Sequence, residues 1–261
     1  MRAVLPVHLR GEVCNLPALR DLAEDAGAAL VEDAPHALGS RTLFNGHAGQ
    51  VGDGRHGVLA SFSFHPVKTI ATGEGGMLTT NDGDLAERLR RFRSHGMSRP
   101  PGSEPWIYEM EQPGFNYRLP DIACALGLSQ LAKLPRSSER RRRLAALYRE
   151  ALAPLAPLVA LPPPMPWSDP VPHLLVALIA FETVGVSRRE VMESLAAQGV
   201  GSQVHYIPVH TQPYWRTRNG ERSLPGAEAL YRRCLSLPLF PAMEDGDVAR
   251  VADALRSALR L

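Results

Sequence analysis

The chain has 261 residues, 44% of them hydrophobic and 21% charged, with a net charge of +2. That composition fits a soluble globular protein with enough chain for one large or two ordinary cores. It holds no apolar run long enough to span a bilayer, and the opening MRAVLPVHLRG is too short in apolar residues for a secretory signal. Cys14, Cys124 and Cys234 are odd in number, widely spaced and without a metal-ligand pattern, which predicts reduced thiols, a cytoplasmic location and no metal site. The run Arg140–Arg143 follows Glu139 and precedes LAALYREAL, so it reads as a solvated helix start and not as a nucleic-acid patch.

In chain order, AVLPVH reads as a strand and LPALRDLAEDAG as a helix closed by Gly27. AALVEDA, HGVLASFSF and GGMLTTND follow as strands, with Asn81, Asp82 and Gly83 as a turn, and DLAERLRRFRSHG as an amphipathic helix stopped at Gly96. Residues 97–120 look irregular. A helix fits DIACALGLSQLAKL with Asp121 as its N-cap, and a second, basic helix fits Ser137–Leu152. The Pro-rich LPPPMPWSDPVP reads as an extended crossing, and HLLVALIAF as a strand. SRREVMESLAAQG, VGSQVHYIPVH and DGDVARVADALRSALRL read as helix, strand and closing helix. Strand–helix alternation over the first half predicts an α/β layer with a mixed, mostly parallel sheet, and the second half a smaller α+β domain, divided as 1–130 and 131–261. In such sheets ligands collect beyond the carboxyl ends of the strands, where EDAPH and FHPVK both stand.

Of the 29 Lys plus Arg residues only two are lysines, Lys68 and Lys133. Arginine serves for ion pairs but cannot act as an amine nucleophile, so a lysine retained at a strand end points to Schiff-base chemistry. Pyridoxal phosphate is the most economical aldehyde cofactor for it. That cofactor requires a carboxylate for its ring nitrogen and donors for its phosphate. Asp33, ending ALVED, suits the first, and Ser63, five residues before Lys68, the second. TGEGGM supplies a turn where backbone can approach a flat ring. Each residue has a plainer reading: Asp33 as a loop cap, Ser63 as a buried hydroxyl, His36 as a satisfied histidine, Lys133 as a solvated helix residue and the glycines as a tight turn. Their ordered occurrence on successive strand ends favours the functional reading.

VEDAPHALGS followed by FSFHPVKTIATGEGGMLTTND resembles the core of the nucleotide-sugar aminotransferases of the DegT/DnrJ/StrS type. GFNYRLPDIACALGLSQL resembles a later segment of the same family, and QVHYIPVHTQPYW with LSLPLFP its C-terminal domain. HPVKTIATGEGG and HYIPVHTQPYW are most similar to the branch that aminates a UDP-linked 4-keto-6-deoxy-N-acetylhexosamine on the route to pseudaminic acid, and less so to the aminoarabinose branch. The resemblance implies a pyridoxal-phosphate-dependent enzyme of the aspartate-aminotransferase fold (fold type I). Residues 1–130 would be the C-terminal part of its cofactor-binding large domain, and residues 131–261 its small domain.

By the same resemblance, Lys68 would hold the cofactor and shuttle the proton to the sugar C4. Asp33 would pair with the pyridine nitrogen, His36 would lie against the ring, and Ser63 would donate to the phosphate. Asn116 and Arg118 would reach the cofactor phosphate of a neighbouring subunit, which implies a homodimer, and His205 and His210 would border the sugar-nucleotide pocket. The amino donor would be an amino acid such as glutamate. Some relatives are dehydratases with histidine in place of the lysine, so Lys68 favours transamination. The family also carries a segment ahead of the point matching Met1, with a Gly-Thr or Gly-Ser turn for the phosphate and an aromatic that stacks on the ring. The alternative expectation is therefore a truncated, non-catalytic relative, or a partner subunit that lends Asn116 and Arg118.

Overall fold

The computed structural model describes residues 2–44 and 46–261. They form two compact units. Unit 1 runs to Arg136 and includes Pro166–Val171; unit 2 comprises Ser137–Met165 and Pro172–Leu261.

Unit 1 is built on β1 (Ala3–Val4), α1 (Leu16–Asp25), β2 (Ala29–Asp33), β3 (Arg41–Phe44), β4 (His47–Gln50), β5 (Leu59–Ser63), β6 (Gly76–Thr79) and α2 (Gly83–Arg93). Its main sheet has the order β1-β2-β5-β6. The first three strands are parallel, and β6 returns antiparallel to β5. Burial alternates along β2 and β5, so Leu30, Ala60 and Phe62 face the core, together with Leu16 and Ala23 of α1. Asn15 starts α1 by accepting the Ala18 N–H, and Asp82 starts α2 by accepting the Leu85 N–H, so the expected turn is also a cap. The strand expected over AVLPVH is shorter: only Ala3–Val4 pair regularly, and Val7 makes an isolated bridge to Asp33. Pro6 between them has no N–H to donate to a ladder.

Residues 97–120 contain the short antiparallel pair β7 (Met97–Ser98) and β8 (Glu109–Met110). The two helices expected around Pro135 are one, α3 (Asp121–Leu152), which begins at Asp121 itself. Pro135 takes one N–H out of that helix, at a cost of about 3 kcal/mol in an ordinary interior. The position is exposed, as is Leu131 one turn earlier, so water can reach the freed carbonyl. Anchors on both sides offset the cost: Leu134 packs on the unit 1 core, and Leu144 and Tyr148 are fully buried in unit 2.

Beyond α3 come β9 (Val159–Ala160) in unit 2 and β10 (Ser168–Asp169), which returns to unit 1 and pairs antiparallel with β3. The Pro-rich stretch is tied down there. Ser168 Oγ accepts the Val13 N–H at 3.0 Å, and Trp167 Nε1 donates to the Val13 carbonyl at 3.0 Å. Unit 2 continues with β11 (Leu175–Ile179), α4 (Phe181–Val184), α5 (Arg188–Ala197), α6 (Pro213–Asn219), α7 (Pro225–Arg233), β12 (Cys234–Leu237) and α8 (Asp245–Ala258). Its antiparallel sheet has the order β12-β11-β9. The strand expected over VGSQVHYIPVH is reduced to a bridge between Gln203 and Ser236, and residues 209–211 coil into a 3-10 turn after Pro208.

The unit 2 core is aliphatic, with Ile179, Leu195, Leu235 and Leu255 wholly buried, each contributing about 1.5–3 kcal/mol of transfer free energy. Two polar groups are built into it. Tyr148 donates its hydroxyl to the Pro238 carbonyl at 2.8 Å, and burial pushes its pKa up. Arg141, also buried, donates from one guanidinium nitrogen to the carbonyls of Pro172, His173 and Leu239 at 3.2, 3.3 and 3.1 Å.

Candidate functional site

Asp33 is the last residue of β2. Its N–H donates to the Pro6 carbonyl at 2.9 Å and its carbonyl accepts the His8 N–H at 3.0 Å. In register it lies beside Ser61 of β5. Two residues on, Ser63 closes β5, so both side chains stand at the carboxyl edge of parallel strands. Asp33 and Ser63 are half-buried.

The link from β5 to β6 carries Lys68. Phe64 N–H donates to the Gly75 carbonyl and Thr72 N–H to the Phe64 carbonyl, both at 2.9 Å, which ties the loop at its neck. Within it, Lys68 N–H donates to the His65 carbonyl at 2.9 Å, His65 N–H to Ser63 Oγ at 3.4 Å, and the His65 ring meets Glu74 at 3.8 Å. The Lys68 amine is half-buried and, among the described residues, has no hydrogen-bond or ion-pair partner. Burial pushes its pKa down, and the Asp33 carboxylate opposes that shift. Two of the glycines behind it, Gly75 and Gly76, leave no room for a side chain. A Cβ on Gly76 would fall 2.7 Å from the Phe62 carbonyl oxygen, and one on Gly75, at φ +157°, 2.5 Å from Thr72 Oγ1.

His36 is buried three residues beyond Asp33, and its Nδ1 accepts the Arg10 N–H at 3.4 Å. Unit 1 therefore groups Asp33, Ser63 and Lys68 at one strand edge, with His36 on the loop that follows β2. Asn116 and Arg118 are exposed and lie on a separate extended arm. That arm is hydrogen-bonded to the end of α2: His95 N–H to the Phe115 carbonyl, Phe115 N–H to the Phe92 carbonyl, and Tyr117 N–H to the Arg93 carbonyl. Leu119, next to Arg118, reaches the glycine turn, where its Cδ1 lies 2.9 Å from the position of a Gly75 Cβ.

His205 and His210 belong to unit 2. His205 Nδ1 is 2.7 Å from Ser236 Oγ and lines a cavity of about 500 Å³ whose walls include Gln203, Phe240, Met243 and Arg250. His210 is not on that cavity; its Nε2 meets Glu228 Oε1 at 3.2 Å. The Glu228 carboxyl is held below its usual range by the Leu224 N–H and by His210.

Sequence patterns do not single out a buried pair beneath the strand edge, His8 and Glu32, whose ring and carboxylate meet at 3.2 Å. Two consecutive acids at a strand end are its only trace, because strand alternation puts one of them on each face.

The donor set suits a pyridoxal phosphate group: a half-buried lysine within the field of the Asp33 carboxylate, that carboxylate and a hydroxyl on adjacent strand ends, and two glycines, Gly75 and Gly76, packed too closely for a Cβ. Lys68, Asp33 and Ser63 are the residues that would hold it. No helix among the described residues is long and apolar enough to cross a membrane.

The sequence profile of the DegT/DnrJ/EryC1/StrS aminotransferase family matches residues 1–256. The spore coat polysaccharide biosynthesis protein SpsC of Bacillus subtilis (strain 168) is 37% identical over 269 aligned residues, covering 99% of this chain and 67% of that protein. Among solved structures, Helicobacter pylori PseC, an aminotransferase involved in the biosynthesis of pseudoaminic acid, superposes with a TM-score of 0.90 at 28% identity, covering 100% of this chain and 67% of its own. S. venezuelae DesV, solved in complex with a ketimine intermediate, superposes with a TM-score of 0.85 at 39% identity, covering 100% of this chain and 66% of its own. The chain thus spans about two thirds of the length of each of these relatives.

Proposed function

This chain belongs to the DegT/DnrJ/EryC1/StrS aminotransferase family, sugar aminotransferases of fold type I, and on that premise we propose that it moves an amino group from glutamate to C4 of a UDP-linked 4-keto-6-deoxy sugar, with pyridoxal phosphate as cofactor. The observation that carries this reading is Lys68. One of only two lysines, it stands half-buried in a tied loop at a strand edge, with the Asp33 carboxylate acting on its amine.

The bound cofactor supplies an electron sink. The chain's own residues do the rest. Lys68 offers a neutral amine more readily than an exposed lysine does, and then carries a proton at its Nζ to and from the reacting carbon. Asp33 holds a proton on the ring nitrogen, Ser63 donates its hydroxyl to the phosphate, and the buried His36 ring flanks the site. Asn116 and Arg118 serve the phosphate of a second copy in a homodimer, and His205 and His210 border the sugar nucleotide. Unit 1 is then part of the cofactor-binding large domain and unit 2 the small domain, in a cytoplasmic enzyme. The likeness to PseC supports the pseudaminic acid branch among the sugar aminotransferases.

The test is chemical. The purified chain is incubated with pyridoxal phosphate, reduced with borohydride and digested, and its peptides are searched for a pyridoxyl group by mass spectrometry. A label confined to Lys68 is the expected result. No label, or one shared equally with the exposed Lys133, would sink the reading.

A further inference from the structure

Asp33 is only as well placed as its strand end, and that end is unusually short of ladder. β1 contributes two residues of pairing, and the next residues along it, Leu5 and Val7, are exposed at 61% and 48%. Yet Asp33 depends on this segment, because its N–H and carbonyl are satisfied by Pro6 and His8. Of residues 5–7 only Pro6 is buried, so a further group must help hold the segment down.

The His8 side chain does so. It is wholly buried, and Glu32 is 2% exposed. His8 Nδ1 accepts the Cys14 N–H at 3.2 Å, and a backbone N–H can only donate, so the ring proton sits on Nε2 and is donated to Glu32 Oε2 at 3.2 Å. The other oxygen, Glu32 Oε1, accepts the Gly57 N–H at 3.2 Å. One carboxylate therefore joins three segments: the chain after β1, β2 itself and the loop leading into β5. It does so on the face of β2 opposite Asp33, one residue away.

We infer that the buried His8–Glu32 pair is the positioning device for Asp33, fixing the height and direction of its carboxylate at the strand edge. The inference rests on the proposed cofactor reading, because it concerns the group that Asp33 would address. Neither residue reaches the strand edge on its own side chain, so both are positioning residues.

The pattern of donors dictates the test. In Glu32→Gln the amide can still accept from Gly57, but its NH₂ then faces the His8 Nε2–H, and the ring cannot change tautomer without losing Cys14. His8→Gln keeps one donor and one acceptor, whereas His8→Leu keeps neither. Each variant is titrated with pyridoxal phosphate, and the pH midpoint of the bound cofactor's visible absorption is measured, with circular dichroism as the check on folding. In Glu32→Gln and His8→Leu, affinity is expected to fall about tenfold or more. Their midpoint is expected to rise by about one pH unit, because a misplaced carboxylate no longer keeps the ring charged. His8→Gln should restore both values. A folded Glu32→Gln with wild-type affinity and midpoint would overturn the inference, as would His8→Gln behaving like His8→Leu. If Glu32→Gln does not fold, Glu32→Asp, one methylene shorter, decides by the same readouts. Absence of any cofactor absorption in the wild-type chain would instead count against the proposed function, and the inference would fall with it.

Discussion

Gly114 offers the sharpest local perturbation. It sits on the arm that carries Asn116 and Arg118, where a Cβ would lie 2.2 Å from the Gly96 nitrogen, 2.6 Å from the His95 carbonyl carbon and 2.8 Å from the Phe92 oxygen. All three are backbone atoms, so no side chain can swing away. Ordinary contact needs about 3.5 Å, so in Gly114→Ala the arm must retreat by about 1 Å from the end of α2. That retreat breaks or stretches three bonds: His95 N–H to Phe115 at 2.9 Å, Phe115 N–H to Phe92 at 2.7 Å and Tyr117 N–H to Arg93 at 2.9 Å. At about 1 kcal/mol each the arm loses about 3 kcal/mol, or about a hundredfold in its opening equilibrium. Hydrogen exchange read by mass spectrometry on peptides covering 92–96 and 111–118 measures this directly. Gly83→Ala is the control, since nothing lies within 4 Å of a Cβ there and alanine suits the start of α2. Exchange in Gly114→Ala unchanged from wild type would refute the reasoning.

Three other outcomes follow from named groups. Because Asp33 holds the Lys68 pKa up against burial, Asp33→Asn in the cofactor-free chain should let an amine reagent modify Lys68 at lower pH than in wild type, as read by peptide mass spectrometry. A shift to higher pH would contradict that. Arg141→Leu leaves three carbonyls, one buried and two part-buried, without their donor and should lower the stability of unit 2 by about 3 kcal/mol in urea unfolding; a loss under about 1 kcal/mol would show the bonds to be replaceable. Asp245 is held below the ordinary value of 3.8 by hydrogen bonds to Arg140 and Arg143. A depressed carboxylate stabilises the fold above its unfolded pKa, and that contribution is lost as pH falls through the folded one. Asp245→Asn should therefore lower the melting temperature at neutral pH, and the gap should close as the solution is acidified.

The parallel strand edge was legible because it is local. Alternation in ALVED and LASFS and the turn at Asn81, Asp82 and Gly83 can each be read within a few residues, and the scarcity of lysine from composition alone. The pairing of β3 with β4 was not, since HAGQ carries little strand propensity and pairs only with β3, whose other edge is covered by β10 from far along the chain. Pro135 misled for the opposite reason: a strong local breaker is overridden by anchors on either side of it. Among the site residues, Asp33, Ser63 and Lys68 stand together as strand-end reasoning places them. The His8–Glu32 pair depends on a contact across 24 residues, which no local pattern shows. His205 and His210, read as equivalent, differ: one lines a cavity, and the other is committed to a glutamate.

The return of residues 166–171 to unit 1 sets a clock on synthesis. Val13, Ser40 and one edge of β3 complete their hydrogen bonding in that segment: Ser40 Oγ accepts the Val171 N–H at 2.9 Å while donating to the Gly11 carbonyl at 2.9 Å. A nascent chain that has emerged as far as Arg136 therefore lacks an edge strand and these acceptors and donors. At ribosomal speeds of about 5–20 residues per second, the next 35 or so residues take roughly 2–7 seconds to arrive. Over that interval the chain bearing Asp33 and Lys68 is already made, while β3 keeps the open edge that β10 will cover, and an open edge invites pairing with another chain.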